Sequence, residues 1–303
     1  MIHGPHWKWL IIAYFYFGGI SGASAAIAAI ARLVGGAPAA PLARIATYVS
    51  FLALTACPPL LILDLGRPSR FLNMLRAFRA SSPMSIGTWG LTAFGIITSL
   101  ATWLQIAEDV AARRGHSPGR VERAAGHIVA LLGALSGFFV AGYTGVLLAA
   151  TAVPLWSKRP GLLGPLFLTS AMTSSSAAIA AVAAVLNSEH NAADDGLRSL
   201  ETISTVAEGS LLVGWIIALG PTAKPITEGR LGSVVRHGVG GAGMALPLAI
   251  SAVSDQLPRR MRRPATLLAS ALTLAGVFAL RYAVVEGGRQ SADDPRATFE
   301  MTG

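Results

Sequence analysis

The sequence predicts an all-α integral membrane protein, a bundle of about eight transmembrane helices forming one polytopic domain over residues 1–303. Three observations predict it. Charged residues make up 13% of the chain and hydrophobic ones 53%, whereas a soluble domain carries about 25% charged residues for its water-facing surface. The mean hydropathy is +0.57. The apolar residues also fall in continuous runs of about 20 or more, enough to cross the hydrocarbon core, and not in the alternating pattern of a closed barrel. An ordinary soluble enzyme, a disordered chain and a disulfide scaffold are therefore excluded.

By that length rule the spans lie at roughly 7–34, 43–64, 86–107, 124–156, 162–186, 199–220, 236–255 and 264–285. The first follows Lys8 and is long enough to span, so it is not read as a cleaved signal peptide. Charges mark each junction after it. Arg32 and Arg44 bracket the first connector, Arg67 to Arg79 fill the second, and Arg113 to Arg123 the third. Lys158 and Arg159 separate the fourth and fifth spans, and Arg198 precedes the sixth. Lys224 and Arg230 precede the seventh and Arg236 opens it, Arg259 to Arg263 precede the eighth, and Arg289 and Arg296 follow it. Several runs exceed the minimum, which implies tilt or helix beyond the bilayer. Gly, Ala and Ser are dense in stretches such as Ala23 to Ala31 and Ser174 to Ala184, where small side chains let helix backbones approach.

The net charge of +9 sits mostly on arginines in short connectors, which is the placement expected of topology signals and lipid headgroup contacts. Nucleic-acid binding would instead need a basic face on a soluble domain. An even number of spans puts both termini on one side. The dense clusters Arg113–Arg123 and Arg259–Arg263 favour the opposite side as cytoplasmic, so the termini are expected on the outer, periplasmic side of a bacterial inner membrane.

Cys57 is the single cysteine, so neither a disulfide nor a cysteine-ligated cluster can be built from this chain, and any redox metal must come from a partner. Haem needs two axial ligands at matched depth on facing helices. His3 and His6 precede the first span, His116 is in a loop, and His127 and His237 begin spans from opposite sides. Only His127 and His190 share a side, both at the boundary. No haem and no metal are expected in this chain.

The connector after the second span is longer than a turn. It reads Leu63-Asp64-Leu65-Gly66-Arg67-Pro68-Ser69-Arg70-Phe71-Leu72-Asn73-Met74-Leu75-Arg76, then Ser82-Pro83-Met84-Ser85-Ile86-Gly87-Thr88-Trp89-Gly90. Pro68 suits the start of a short amphipathic helix with Phe71, Leu72, Leu75 and Phe78 on one face. Such a helix either anchors the bundle in the headgroups or docks a soluble subunit through Arg67, Arg70 and Arg76.

Here the chain resembles the NrfD-like family, the membrane subunits of polysulfide reductase and related complexes. The DLGRP-SRF stretch followed by SPMS-GTWG looks like that family's loop between its second and third helices. Gly18-Gly19-Ile20-Ser21-Gly22-Ala23 in the first span, Gly142-Tyr143-Thr144-Gly145 in the fourth and the helix count agree. The resemblance implies a quinone site (menaquinone or ubiquinone) near the face that docks a 4Fe–4S ferredoxin-like subunit, which in turn serves a molybdopterin-type catalytic subunit. Tyr14 falls where the polysulfide-reductase member places a histidine against a quinone carbonyl, Tyr143 matches a tyrosine of that site, and Asp64 lies near an acidic residue at its mouth.

The residues also make chemical sense on their own. A quinone ring needs an apolar slot, donors to its carbonyls and a proton-exchanging group. Tyr14, Tyr16 and Tyr143 supply donors, Asp64 a proton carrier and Arg67 a positive charge. Trp7 and Trp9 fit an interfacial belt better than a pocket wall. A tyrosine in place of histidine donates a hydrogen bond but, with a reference pKa near 10, shuttles protons poorly.

Two charges interrupt the later spans. Glu208 lies within the sixth, where, with hydroxyls from Thr173 to Ser176 and Ser174 among them, it reads as part of a proton route or as a structural, hydrogen-bonded acid. Arg281, near the end of the eighth, is expected to snorkel to the boundary. The leading expectation is a quinone-interacting membrane subunit of a multisubunit oxidoreductase. The alternatives are an ion or small-solute transporter, for which no convincing internal repeat is visible, and a purely structural anchor.

Overall fold

A computed structural model describes residues 9–65, 73, 75, 76, 78–116, 119–186 and 192–293. The described residues form helices and no strands. In chain order the long helices are α1 (Trp9–Leu33), α2 (Ala40–Leu65), α3 (Pro83–Arg113), α4 (Arg120–Ala149), α5 (Pro160–Val185), α6 (Ala192–Leu219), α7 (229–253) and α8 (Arg259–Asp293). Seven of them, all but α7, are long and apolar enough to cross a membrane. The protein is a multi-pass, all-α membrane bundle.

Local chemistry sets the ends. Ser82 caps α3, accepting from the Ser85 amide at 3.4 Å, and Pro83 occupies the first helical position, where its missing N–H costs nothing. Glu122 caps α4 by accepting from the Gly119 amide at 2.8 Å. Gly36 and Gly229 adopt φ of 61° and 59° at the entries to α2 and α7, conformations that side chains resist. The fourth expected span, 124–156, divides. α4 stops at Ala149, and a separate turn at Pro154–Ser157 precedes α5 because Pro154 and Pro160 cannot continue a helix.

The seventh expected span, 236–255, is helical but irregular. Its middle, Val234–Ala245, winds as a π-helix between the α-helical pieces Gly229–Ser233 and Leu246–Val253. Pro247 has no N–H to return to the Gly243 carbonyl and crowds that turn, so wider turns upstream suit the sequence. Arg236 and His237 lower the hydropathy of this helix and separate it from the other seven.

α1 is the hub. Over its most apolar stretch 72% of residues are buried, against 28% in α3 and 33% in α4, which therefore face the surroundings of the bundle. α1 packs against α2, α4, α5 and α8. At the α1–α4 crossing a Cβ on Gly22 would meet the Gly137 carbonyl oxygen, and one on Gly137 would meet that of Gly22. Gly243 of α7 and Gly276 of α8 meet in the same way, backbone to backbone. Near the C-terminus Trp156 is fully buried; its indole N–H donates to the Val284 carbonyl at 2.9 Å and its ring lies where a Cβ on Gly288 would stand.

Candidate functional site

The up-and-down order of α1 to α4 gathers the sequence-predicted quinone residues at one end. Tyr14 is in the second turn of α1, Asp64 at the end of α2, and Tyr143 two turns from the end of α4. Tyr14 is half-buried and within electrostatic range of Tyr143 and Cys57. It packs beside Leu54, Leu91, Phe94 and Val140, an apolar cluster drawn from α2, α3 and α4. Asp64 is half-buried at the rim of the same end.

Tyr143 is held on both sides. Its hydroxyl donates to the Pro83 carbonyl at the start of α3, and Phe139 stacks on its ring with centroids 4.9 Å apart. Gly87 lies against the ring, where a side chain would collide with it. SPMS-GTWG thus has a local reason: Ser82 and Pro83 start α3, and Gly87 admits the tyrosine. Pro58 and Pro59 lie inside α2 one to two turns before Asp64. Neither can donate, so the carbonyls of Leu54 and Thr55 lose their usual helical partners near this end.

Arg67 and Arg70, expected to contact the quinone and a partner, lie outside the described residues, as do Trp7 and Lys8. Arg76 is helical and exposed. Phe78 and Trp89 meet edge-to-face at 6.3 Å, which ties the end of the connector to α3.

A second constellation lies in the middle of the bundle. Glu208 of α6 is wholly buried, facing Ser170 and Thr173 of α5 and Arg281 of α8. Arg281 is 1% exposed, which overturns its expected snorkelling. Its Nη2 donates to the Phe167 carbonyl at 3.1 Å and its guanidinium lies 4.0 Å above the Phe167 ring. Gly19 of α1 lies beside that guanidinium, whose Nη2 is 3.6 Å from where a Cβ would be, an ordinary contact distance. The arginine stays inside because the Phe167 carbonyl and ring receive it and the charge of Glu208 acts on it. A boundary position in the sequence says nothing of either.

Ser174, expected on the proton route, is buried, but its hydroxyl donates to Ala171 of its own helix at 3.0 Å. Ser170 and Thr173 are the hydroxyls that face Glu208. Ser170 is one turn from Thr173 and Ser174 on the same face, so helical spacing admitted it as a candidate without choosing between the serines. Both Glu208 carboxyl oxygens, and Nε and Nη1 of Arg281, lack a hydrogen-bond partner among the described residues. Tyr16 lies within electrostatic range of Arg281 and packs edge-to-face on Phe278 at 5.4 Å.

Sequence reasoning missed a third cluster, at the opposite end of α1 to α4. Arg32 pairs with Glu108, and Arg44 with Asp109 at 2.8 Å. Tyr48 donates to Asp109 at 2.6 Å, and the Gln105 amide donates to the same carboxylate at 3.1 Å. The available signal was the acidic pair Glu108–Asp109 at the end of the third apolar run, facing arginines at the neighbouring helix ends. No group of three or more His, Cys, Asp and Glu that could hold a metal occurs among the described residues.

A polytopic helical bundle with tyrosines and a carboxylate at one end and a buried glutamate and arginine at its centre defines a membrane subunit with polar chemistry inside its spans. The comparison with known families is specific. Residues 2–292 match the model of polysulphide reductase, NrfD, and the chain belongs to that family, the membrane subunits of polysulfide reductase-like complexes. No curated protein matches the sequence.

Proposed function

We propose that this chain is the quinone-reactive membrane subunit of a multisubunit oxidoreductase in a bacterial inner membrane, with its termini on the periplasmic side. It exchanges electrons between the menaquinone or ubiquinone pool and a 4Fe–4S ferredoxin-like partner serving a molybdopterin-type catalytic subunit. The observation that carries the reading is the convergence of Tyr14, Tyr143 and Asp64 at one end of α1 to α4, beside the connector with the family's loop motif.

Quinone reduction takes up two electrons and two protons, and quinol oxidation returns them. The apolar cluster of Leu54, Leu91, Phe94 and Val140 suits one side of a ring slot. Tyr14 orients a ring carbonyl by donating to it, and Tyr143 shapes the opposite wall. Tyr143 spends its own proton on the Pro83 carbonyl, so its hydroxyl reaches a ligand as an acceptor unless that bond is exchanged. Asp64, at the rim, exchanges protons with water. Arg67, Arg70 and Arg76 are the docking cations for the soluble partner. Glu208, with Ser170, Thr173 and the neighbouring Ser174, forms a proton-carrying interior.

The test is mild-detergent purification with native partners, followed by subunit mass spectrometry, quinone analysis of the lipid extract and a visible spectrum. The expected result is iron–sulfur and molybdopterin subunits, bound quinone and no haem bands. A lone protein without quinone or redox partner would overturn the proposal and favour transport. Redox partners without any quinone-site inhibitor effect would leave a structural anchor.

A further inference from the structure

The helix ends farthest from Tyr14 and Tyr143 enclose a pocket that the quinone chemistry does not use. Ala25, Ala28 and Ala29 of α1, Thr47 and Ser50 of α2, Thr98 of α3, and Gly126, Val129, Ala130 and Gly133 of α4 line it. Alanines and glycines leave the space, and Arg32 crosses its rim. From α1 the Arg32 guanidinium reaches Gln105 and Glu108 of α3, and it lies 2.8 Å from where a Cβ on Gly126 of α4 would be. One side chain therefore bridges three helices across the opening.

Most of the lining is small and apolar, Ala101 and Leu104 of α3 included, but one hydroxyl in it is left without a partner. Thr98 is 2% exposed, and its hydroxyl has no hydrogen-bond partner among the described residues. A buried hydroxyl without a partner is unfavourable, and a water in the pocket satisfies it. Below the pocket, Ser50 and Ser21 each donate to the other's carbonyl at 2.8 Å, Ser24 is fully buried with an unpartnered hydroxyl, and Ser175 donates to the Ile20 carbonyl at 2.9 Å. These serines occupy the level of α1 between the pocket and Gly19, which adjoins Arg281. From Ala25 to Gly19 is six residues, about 9 Å along the helix.

We infer that this pocket is a hydrated vestibule whose ligand is water. It opens at the Arg32–Glu108 end under a lid formed by that ion pair, and it leads through Ser50, Ser21 and Ser24 toward Arg281 and Glu208. Bulk protons reach the buried carboxylate from the face opposite the tyrosine end. This last use rests on the proposed quinone function, whereas the hydration does not.

The test is accessibility. Ala28→Cys and Ala130→Cys place thiols in the pocket, and the native Cys57, fully buried away from it, is the internal control. Ala112→Cys, exposed at the end of α3, reports folding and sidedness. Sealed vesicles of both orientations are treated with a membrane-impermeant, positively charged methanethiosulfonate. Both pocket cysteines should label from the side that labels Ala112→Cys and not from the other, while Cys57 stays unlabelled. Adding Glu108→Gln, which loosens the lid, should raise their labelling rate several-fold without changing that of Ala112→Cys. Labelling only by a membrane-permeant maleimide, or only after detergent has removed an acyl chain, would overturn the inference. The readout needs neither quinone nor partner, so its failure is distinct from a failure of the quinone reading.

Discussion

Arg281 and Glu208 show what one buried charge demands of its neighbours. The guanidinium has a carbonyl 3.1 Å away, an aromatic face at 4.0 Å and an acid opposite, all inside a span. Removing the acid takes a charge of opposite sign away from the buried guanidinium, which destabilises it. Glu208→Gln should therefore lower the thermal midpoint in detergent, and Glu208→Gln with Arg281→Met should recover part of that loss. Quinone-linked turnover should stay low in both if the acid carries protons. Full turnover in either variant would remove Glu208 from the route. Tyr143→Phe is a milder change: it loses one hydrogen bond across α3 and α4, about 1 kcal/mol, and leaves the stacked ring in place. Turnover with a soluble quinone analogue should fall while assembly with the partners persists. Unchanged turnover would take Tyr143 out of the site.

At the level of helices, close approach is set by absent side chains. Gly22 and Gly137 allow α1 and α4 to touch through backbone, and neither backbone can yield as a flexible side chain would. Gly22→Ala should cost about 1–3 kcal/mol through overpacking. Gly95→Ala on α3, where a Cβ meets nothing within 4 Å, should be neutral or slightly stabilising because alanine is the better helix former. Thermal unfolding of the two variants in the same detergent checks the opposite signs. α7 is the element whose form the apolar pattern conveyed least. Its hydrophobic run is visible, but its π-helical middle follows from Pro247 and from the Gly243–Gly276 contact with α8.

Over the whole molecule, the packing of α7 along α8 argues that it crosses the membrane with the other seven helices, and its 25 residues reach about 30 Å or more. Reporter fusions at the two ends should then fall on the same side, whereas seven crossings would place them on opposite sides. Reversing Arg67 and Arg70 to Glu should loosen the soluble partner and reduce its recovery after a high-salt wash. Unaltered recovery would count against that surface.

The sequence alone determined the membrane class, the existence of eight helical segments with ends off by up to eight residues (285 against Asp293), and the gathering of Tyr14, Asp64 and Tyr143 at one end. Each follows from local hydropathy, from charge at helix ends or from the up-and-down order of short connectors. The loop motif in the second connector also pointed to the family that the whole-chain match bears out. Tertiary structure decided the rest. Whether Arg281 reaches the boundary depends on Phe167 and Glu208, which lie far from it in sequence and near it in space. Whether Ser174 or Ser170 meets Glu208 depends on how far α5 is shifted along α6, which the sequence of α5 leaves open because the two serines share one face. The pairing of Arg32 with Glu108 and of Arg44 with Asp109 depends on which helix ends become neighbours. Hydropathy records how far a segment is from water, and it carries no information about which segment lies beside it.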